Sequence, residues 1–337
     1  MIPDRDRLLT ALRALHAELR DTIVAQAERS SLAALSAVAR DDEATSDTIF
    51  AIDRVSEERL VALCERSIAP TWPLVLVAEG LPDAGYGEGV LPLPRGIRAA
   101  EAVVRILIDP IDGTRGYMYQ KRSAWILTGV APNNGPATRL ADVELALMTE
   151  VPLVKQHLAD ELWAVRGKGM HAARYNRLTG ERQPVALLPS AASDLRQGFA
   201  TVCRFFPGMG DALVAIEDEI IRAALGPAQP GKAPCFEDQY ICTGGQLYEL
   251  LAGHDRFVAD LRPLVGEMRG LCAHPYDLAS LLVAEEAGVL VADAQGQPLD
   301  APLDVQTSVA WAGYANAALR ATLEPLLLQA LARRGGA

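Results

Sequence analysis

One short stretch predicts both the fold and the candidate site: Ile106-Leu107-Ile108-Asp109-Pro110-Ile111-Asp112-Gly113-Thr114. The apolar run from Val103 to Ile108, which is broken only by Arg105, predicts a buried strand. We expect this strand to stop at Asp109-Pro110, because proline lacks a backbone donor and disfavours helix for the residue before it.

Two carboxylates, Asp109 and Asp112, lie three positions apart at the end of this strand, and Gly113 and Thr114 follow them. Close carboxylates repel one another unless they share a cation or a proton. A hard dication such as Mg²⁺ takes oxygen ligands from a few carboxylates and from substrate phosphate. Gly113 would let backbone N–H groups approach an anion closely. The alternative is a plain Asp-Pro-x-Asp-Gly turn, but the preceding strand, Thr114 and other acidic residues with fitting contexts favour a metal site.

Composition indicates a globular protein and narrows its partners. The chain has 337 residues, half of them hydrophobic, which is enough for one large domain or two closely packed ones. The net charge of −11 argues against a nucleic-acid polymer as partner but allows a small phosphorylated metabolite, because bound cations would invert the local field. The five cysteines are scattered and none forms a C-x-x-C pair, as in a cytosolic protein with reduced thiols. With no apolar signal core and no apolar run near the ~20 residues of a membrane span, we expect a cytoplasmic protein without a membrane partner.

Hydrophobic periodicity predicts helices and strands along the whole chain. An amphipathic helix is predicted for 8–23, where leucines and Ile23 recur at three- and four-residue spacing. A closing helix over 315–331 is expected to be kinked or broken near Pro325. The polar segment from Tyr175 to Ser193 is the best boundary between halves, 1–190 and 191–337. Further strands are predicted for 49–52, 74–78, 125–130, 143–151, 162–165, 199–203, 256–260, 289–292 and 309–312.

Four more acidic residues have contexts that fit a site and also a structural role. Glu79 follows the strand 74–78 and precedes a glycine, where it can point into a cleft or be a loop charge. Asp53 opens a predicted helix, and Asp277 lies in the first turn of another, so capping alone could explain both. Asp260 ends a short strand.

The combination of motifs resembles the inositol monophosphatase family, within the superfamily that includes fructose-1,6-bisphosphatases and nucleotide 3′-phosphatases. The resemblance extends over nearly the whole chain, because the matching stretches are spread along it. They are Asp47 with Asp53-x-x-x-Glu57, Glu79, Asp109 to Thr114, Arg166-Gly-Lys-Gly169, and Tyr276-Asp277-Leu-Ala leading to Glu286-Ala287-Gly288. The chain departs from the usual pattern at Phe50, Gly80, Arg115-Gly116 and Tyr276, where the family commonly has Thr, Glu, Thr/Ser-Asn and Trp.

The resemblance implies an α+β fold of stacked α-β-α-β-α layers, with the site between two halves. It also implies Mg²⁺-dependent, lithium-sensitive hydrolysis of a small sugar or polyol phosphate, with two to three Mg²⁺ ions per site, by a homodimer. The alternatives are a nucleotide 3′-phosphatase, a fructose-1,6-bisphosphatase, or a non-catalytic relative that binds phosphate ligands, which the changed Gly80 and Arg115 suggest.

The resemblance also implies the ligands of the metal ions. Glu79, Asp109 and the carbonyl of Ile111 would hold a first Mg²⁺. Asp109, Asp112 and Asp277 would hold a second.

The remaining implied roles are catalytic and substrate-binding. Thr114, with Asp53 nearby, would orient the attacking water, and Glu79 completes the catalytic group. Asp53 would also assist a third, weaker ion. The backbone N–H groups of Gly113 and Thr114 would bind phosphate oxygens, and Asp260 would contact substrate hydroxyls.

Overall fold

A computed structural model of the chain describes residues 1–35, 38–42, 47–206, 210–227, 229–265 and 272–334, without the side chains of 32, 33, 38–42 and 47–55. Its α-helices are α1 (Arg5–Arg29), α2 (Leu32–Leu35), α3 (Ala51–Ser67), α4 (Thr114–Met118), α5 (Asp211–Leu225), α6 (Thr243–Leu251), α7 (Leu281–Ala287) and α8 (Ala317–Ala332). Within these ranges, each helix is too short or too polar to cross a membrane.

The strands form three sheets. A two-stranded sheet pairs β1 (Val38–Asp42) with β2 (Asp47–Phe50). The large sheet has the order β10-β9-β8-β7-β6-β5-β3-β4 and comprises β3 (Leu74–Ala78), β4 (Val90–Leu93), β5 (Val104–Asp112), β6 (Ala124–Pro132), β7 (Leu145–Val151), β8 (Leu158–Val165), β9 (Met170–Asn176) and β10 (Arg182–Pro184). The small sheet has the order β11-β12-β14-β13 and comprises β11 (Phe199–Val202), β12 (Asp255–Asp260), β13 (Leu290–Asp293) and β14 (Trp311–Tyr314).

The helices form layers on both faces of the two larger sheets. On the outer face of the large sheet, α1 and α3 pack together and contact β7 and β5. Between the sheets, α6 and α7 contact β6, β7 and β8 on one side and β12, β13 and β14 on the other. On the outer face of the small sheet, α5 and α8 pack together and contact β11 and β14. The order is therefore α-β-α-β-α, which confirms the predicted fold class.

Burial explains why the sequence patterns predicted these elements. All five residues of β3 are buried, because helices cover both faces of its sheet, and such strands are continuously apolar. The predicted stripe of α1, from Leu8 to Ile23, is at most 2% exposed at each position. One buried cluster joins the large sheet to the small sheet, since it contains both Leu127 of β6 and Val258 of β12.

The structure differs from the sequence predictions at several boundaries. β5 does not stop at Asp109-Pro110 but continues to Asp112. The strand predicted for 49–52 ends at Phe50, and α3 begins at the next residue, Ala51. α8 runs through Pro325 without a break. Asp277 lies in a 3₁₀ turn, Pro275–Leu278, that precedes α7 rather than within its first turn. The division into halves at residue 190 stays a prediction.

Candidate active site

A β-bulge in β5 brings the two central carboxylates to one side of the sheet. Across the antiparallel pair with β6, Asp109 faces Leu127 and Asp112 faces Trp125, so β5 has one residue more than its partner over this span. In a regular strand, positions three apart point to opposite faces. The extra residue cancels one alternation and re-aims the side chain that follows it. Both carboxylates can therefore point into the same cleft.

Asp277 joins them from the 3₁₀ turn that precedes α7. Asp109, Asp112 and Asp277 each offer a carboxylate oxygen, and these oxygens lie within 4.8 Å of one another. Burial, together with the negative charges of Asp112, Asp277 and Glu79, raises the pKa of Asp109 well above its usual value. Burial also raises the pKa of Asp277, and it raises that of Asp112 to about 7. Ionising all three groups together costs a large free energy unless a cation lies among them.

Backbone N–H groups orient each member of this triad. The N–H of Ile111 donates to Oδ1 of Asp109 at 2.9 Å. The N–H of Gly244, in the first turn of α6, donates to Oδ2 of Asp112 at 2.6 Å. The N–H of His274 donates to Oδ2 of Asp277 at 2.6 Å. The carboxylates are thus held in place by three separate segments of the chain.

Glu79 enters the cleft from the end of β3 and is held by an aromatic side chain. The hydroxyl of Tyr276 donates to Oε1 of Glu79 at 3.0 Å. The Tyr276 ring stacks on His274 with ring centroids 5.4 Å apart and planes inclined by 1°. The family that the motifs resemble commonly has tryptophan at the position of Tyr276; here the tyrosine hydroxyl donates the hydrogen bond to Glu79.

Gly113 and Thr114 form the turn between β5 and α4. Gly113 has φ of 93°, a backbone conformation that favours glycine, and a Cβ there would also lie in tight contact with Cys242, 3.0 Å from its Cβ. The hydroxyl of Thr114 donates to the carbonyl of Ile111 at 2.9 Å. The turn therefore holds the Thr114 oxygen next to one of the predicted metal-binding carbonyls.

These residues surround a cleft of about 150 Å³. Seven of the residues predicted from sequence line it: Glu79, Asp109, Ile111, Asp112, Gly113, Thr114 and Asp277. The side chain of Asp53 lies outside the described residues, and its catalytic role stays a prediction. Arg115, which the sequence marked only as a departure from the family pattern, also lines the cleft, and sequence reasoning missed further lining residues, among them Phe205, Phe206, Cys242, His274 and Arg262.

Asp260 lies beneath the cleft wall rather than in the cleft lining. Its side chain is fully buried and forms an ion pair with Arg262, which does line the cleft. Its predicted contact with substrate hydroxyls stays a prediction. The only signal for Arg262 in the sequence was its position two residues after that aspartate.

The residues present fit a hard divalent cation. The donors are buried carboxylates, whose oxygens suit Mg²⁺, and their raised pKa values show that the bare cluster favours protons in place of a cation. Carboxylates that bind a metal must be ionised, so metal binding and proton release are coupled here.

Comparison with solved structures finds the same fold in several proteins, two of which are named as phosphatases. A fructose-1,6-bisphosphatase of Leishmania major superposes with a TM-score of 0.70 at 14% identity, covering 98% of this chain and 96% of the other. The extragenic suppressor protein SuhB of Bartonella henselae gives 0.63 at 15% identity, covering 95% and 98%. An inositol monophosphatase of Thermotoga maritima gives 0.63 at 16% identity, covering 97% and 99%.

This chain therefore has the same fold as these solved fructose-1,6-bisphosphatase and inositol monophosphatase structures. The resemblance drawn from the motifs is confirmed at the level of the fold. No protein-family model matches the sequence, and a search of curated proteins gives no significant match.

Proposed function

We propose that the protein is a Mg²⁺-dependent phosphomonoesterase that acts on a small sugar or polyol phosphate. The observation that carries the proposal is the triad of Asp109, Asp112 and Asp277, whose carboxylate oxygens lie within 4.8 Å in a cleft beside the Gly113-Thr114 turn. The fold supports it, since similar structures include a fructose-1,6-bisphosphatase and an inositol monophosphatase.

In this proposal, two sets of oxygen ligands hold two Mg²⁺ ions. Glu79, Asp109 and the carbonyl of Ile111 hold the first; Asp109, Asp112 and Asp277 hold the second. Bound Mg²⁺ lowers the pKa of a water ligand and neutralises charge on the phosphate and the leaving oxygen. Asp53 assists a third, weaker ion.

The side chain of Thr114 orients the attacking water. Because its hydroxyl proton is donated to the carbonyl of Ile111, the Thr114 oxygen faces the water as a hydrogen-bond acceptor. Fixing the water in line with phosphorus removes orientational entropy from the reaction. The N–H groups of Gly113 and Thr114 bind phosphate oxygens. Gly113 has no side chain, so the phosphate can approach the backbone closely.

The test is a panel of phosphate esters assayed for released phosphate with and without Mg²⁺. Sugar and inositol phosphates are expected to be hydrolysed, and nucleotide 3′-phosphates and fructose 1,6-bisphosphate serve as the alternative substrates. Binding of phosphate esters without any phosphate release, in the presence of Mg²⁺, would identify a non-catalytic relative instead.

Two further properties belong to the same proposal. We expect a homodimer, and light scattering that gives the chain mass of 36.1 kDa at micromolar concentration would contradict this. We also expect a cytoplasmic location, which the five free cysteines of the structure support. Fractionation of cells that express the protein tests the location.

A further inference from the structure

A separate pocket lies beside the turn that carries Asp277. It is enclosed by the connection between β6 and β7, by the start of α7 and by the segment after β13. Its volume is about 160 Å³, close to the 150 Å³ of the candidate active site. The two pockets share no lining residue, so this one is a site of its own.

The floor of this pocket is apolar. It is formed by side chains of residues that are at most 6% exposed, namely Leu140, Val143, Leu278, Leu281, Leu282 and Leu299. An apolar cavity of about 150 Å³ can accept a molecule as large as benzene. The branched side chain of a leucine-sized ligand therefore fits on this floor.

Two opposite charges, Arg166 and Glu285, stand at the rim of the pocket, and both reach the surface. Nε of Arg166 donates to the carbonyl of Val143 at 2.8 Å, and its Nη2 donates to the carbonyl of Ala141 at 3.2 Å. These bonds fix the guanidinium to the backbone of the β6–β7 connection. They leave other N–H groups of the same guanidinium to bind a carboxylate.

The two rim charges are close but do not pair with each other. Partial burial raises the pKa of the Glu285 carboxyl, and the nearby charge of Arg166 acts in the opposite direction. Among the described residues, however, neither side chain forms an ion pair. A ligand with a single charge would be attracted by one rim residue and repelled by the other, whereas a zwitterion is attracted by both.

We propose that this pocket is an effector site that binds an α-amino acid with an apolar side chain, such as leucine. The carboxylate of the ligand pairs with Arg166, its ammonium group pairs with Glu285, and its side chain lies on the apolar floor. The site itself does not depend on the proposed phosphatase function.

The pocket is connected to the metal site through one turn of the chain. Leu278 and Ala279 line the pocket and directly follow Asp277, and the N–H of Ala279 donates to the carbonyl of Tyr276 at 3.1 Å. A ligand packed on Leu278 restricts this turn to the conformation that presents Asp277 to the other carboxylates, so we expect it to strengthen Mg²⁺ binding. By linkage, Mg²⁺ then strengthens leucine binding by the same factor. This coupling, unlike the site, rests on the metal site of the proposed function.

The experiment is a calorimetric titration of the parent with leucine and with analogues that each lack one feature. Alanine lacks most of the apolar side chain and is expected to bind about 50-fold more weakly, as for the loss of three buried carbons. 4-Methylpentanoate lacks the ammonium group, and 3-methylbutylamine lacks the carboxylate. Each is expected to bind about 5-fold more weakly than leucine, as for the loss of one exposed ion pair.

Three variants locate the binding site. Arg166→Gln should weaken leucine binding about 5-fold and leave 3-methylbutylamine binding unchanged, because that ligand has no carboxylate to lose a partner. Ala141→Trp places a large side chain at the exposed rim and should abolish leucine binding. Lys168→Gln is the matched control, since Lys168 is an exposed cation of the same turn as Arg166 but is outside the pocket lining, and it should keep the parent's leucine affinity.

The coupling is tested by titrating Mg²⁺ with and without saturating leucine. Leucine is expected to lower the dissociation constant of Mg²⁺ in the parent and to leave it unchanged in Ala141→Trp. If leucine binds in the pocket without changing Mg²⁺ affinity in the parent, the coupling is overturned and the site stands.

Other outcomes overturn the site or leave it standing. If none of the ligands binds the parent, or if leucine binds the parent and Ala141→Trp equally, the site is overturned. A dimeric parent that binds no ligand and becomes a monomer in Ala141→Trp would assign the pocket to a second copy of the chain instead. If the parent binds leucine as expected but releases phosphate from no ester with Mg²⁺, the phosphatase proposal fails and the effector site stands.

Discussion

The backbone N–H of Gly244 donates a 2.6 Å hydrogen bond to Oδ2 of Asp112, although the two residues are 132 positions apart. This contact joins the bulge of β5 to the first turn of α6 and sets the direction of one carboxylate of the triad. Gly244 is required there because a Cβ would lie 2.7 Å from Oδ2 of Asp112 and 2.7 Å from Cδ2 of Leu127.

Gly244→Ala is therefore expected to weaken Mg²⁺ binding, because the added methyl group displaces the Asp112 carboxylate. Calorimetric titration with Mg²⁺ measures the change. Gly245→Ala is the matched control, since its Cβ would instead meet the ring of Tyr240 at 2.6 Å. Both variants should melt lower than the parent, but an equal loss of Mg²⁺ affinity in the two would contradict the role given to Gly244.

Tyr276→Phe tests the hydrogen bond that holds Glu79. Loss of the 3.0 Å bond frees the carboxylate to rotate, and such outer hydrogen bonds typically contribute about 10- to 100-fold to metal affinity. We expect a decrease of that order in Mg²⁺ affinity and a parallel decrease in kcat at limiting Mg²⁺. Tyr248→Phe removes a partly buried hydroxyl that donates to Asp160 at 2.7 Å, and it should leave Mg²⁺ affinity unchanged.

Thr114→Ala separates a catalytic hydroxyl from one that only stabilises the turn. Orientation of water and proton transfer contribute roughly 10²–10⁴-fold in rate, whereas loss of a capping hydroxyl costs only about 1 kcal/mol of stability. We expect Thr114→Ala to lose turnover by such factors while still binding Mg²⁺, and Thr114→Ser to keep a substantial part. The measurement is kcat well below the melting temperature. If the kcat of Thr114→Ala were within a few-fold of that of the parent, another residue would have to orient the water, and Asp53 would be the next candidate.

His16 is expected to make the fold sensitive to mild acid. It is fully buried between the hydroxyls of Thr128 and Thr149, at 2.7 and 2.9 Å, and burial together with the charge of Arg20 lowers its pKa to about 3. Below pH 6.5 the unfolded chain binds a proton at this histidine that the native state excludes, so stability falls as the pH falls, by about 1.4 kcal/mol per unit.

The check is urea unfolding of the parent and of His16→Gln at pH 7, 6 and 5. As the pH falls, the free energy of unfolding of the parent should decrease relative to that of the variant. This change should level off near pH 3. His171→Gln, which replaces an exposed histidine, is the control and should keep the parent's pH dependence. If the free energy of unfolding depended on pH in the same way in the parent and in His16→Gln, this would contradict the claim that His16 stays neutral in the folded protein.

Local patterns predicted the elements well because helices cover both the large sheet and the small sheet. The buried run of β3 and the leucine stripe of α1 are direct consequences of that layering. Contiguous motifs also predicted most of the cleft, since Asp109 to Thr114 lie on one strand and turn.

Features that depend on distant pairing could not be predicted in the same way. The bulge at Asp109 arises from the register of β5 against β6, so the strand was predicted to stop too early. Asp260 was predicted to contact substrate, but its ion pair with Arg262 becomes apparent only once the turn after β12 is formed. Phe205 precedes that turn by more than fifty residues, and no spacing in the sequence relates the two.

The measurement that tests the central claim most directly is phosphate release from a sugar or inositol phosphate, by the parent and by Asp109→Asn, before and after chelation of Mg²⁺. We expect the parent to lose activity in chelator and to regain it when Mg²⁺ is restored. Asp109→Asn should stay inactive throughout, because Asp109 is proposed to ligate both ions. Full activity of the parent in chelator, or near-parental activity of Asp109→Asn with Mg²⁺, would contradict a metal-dependent phosphatase site at this cluster.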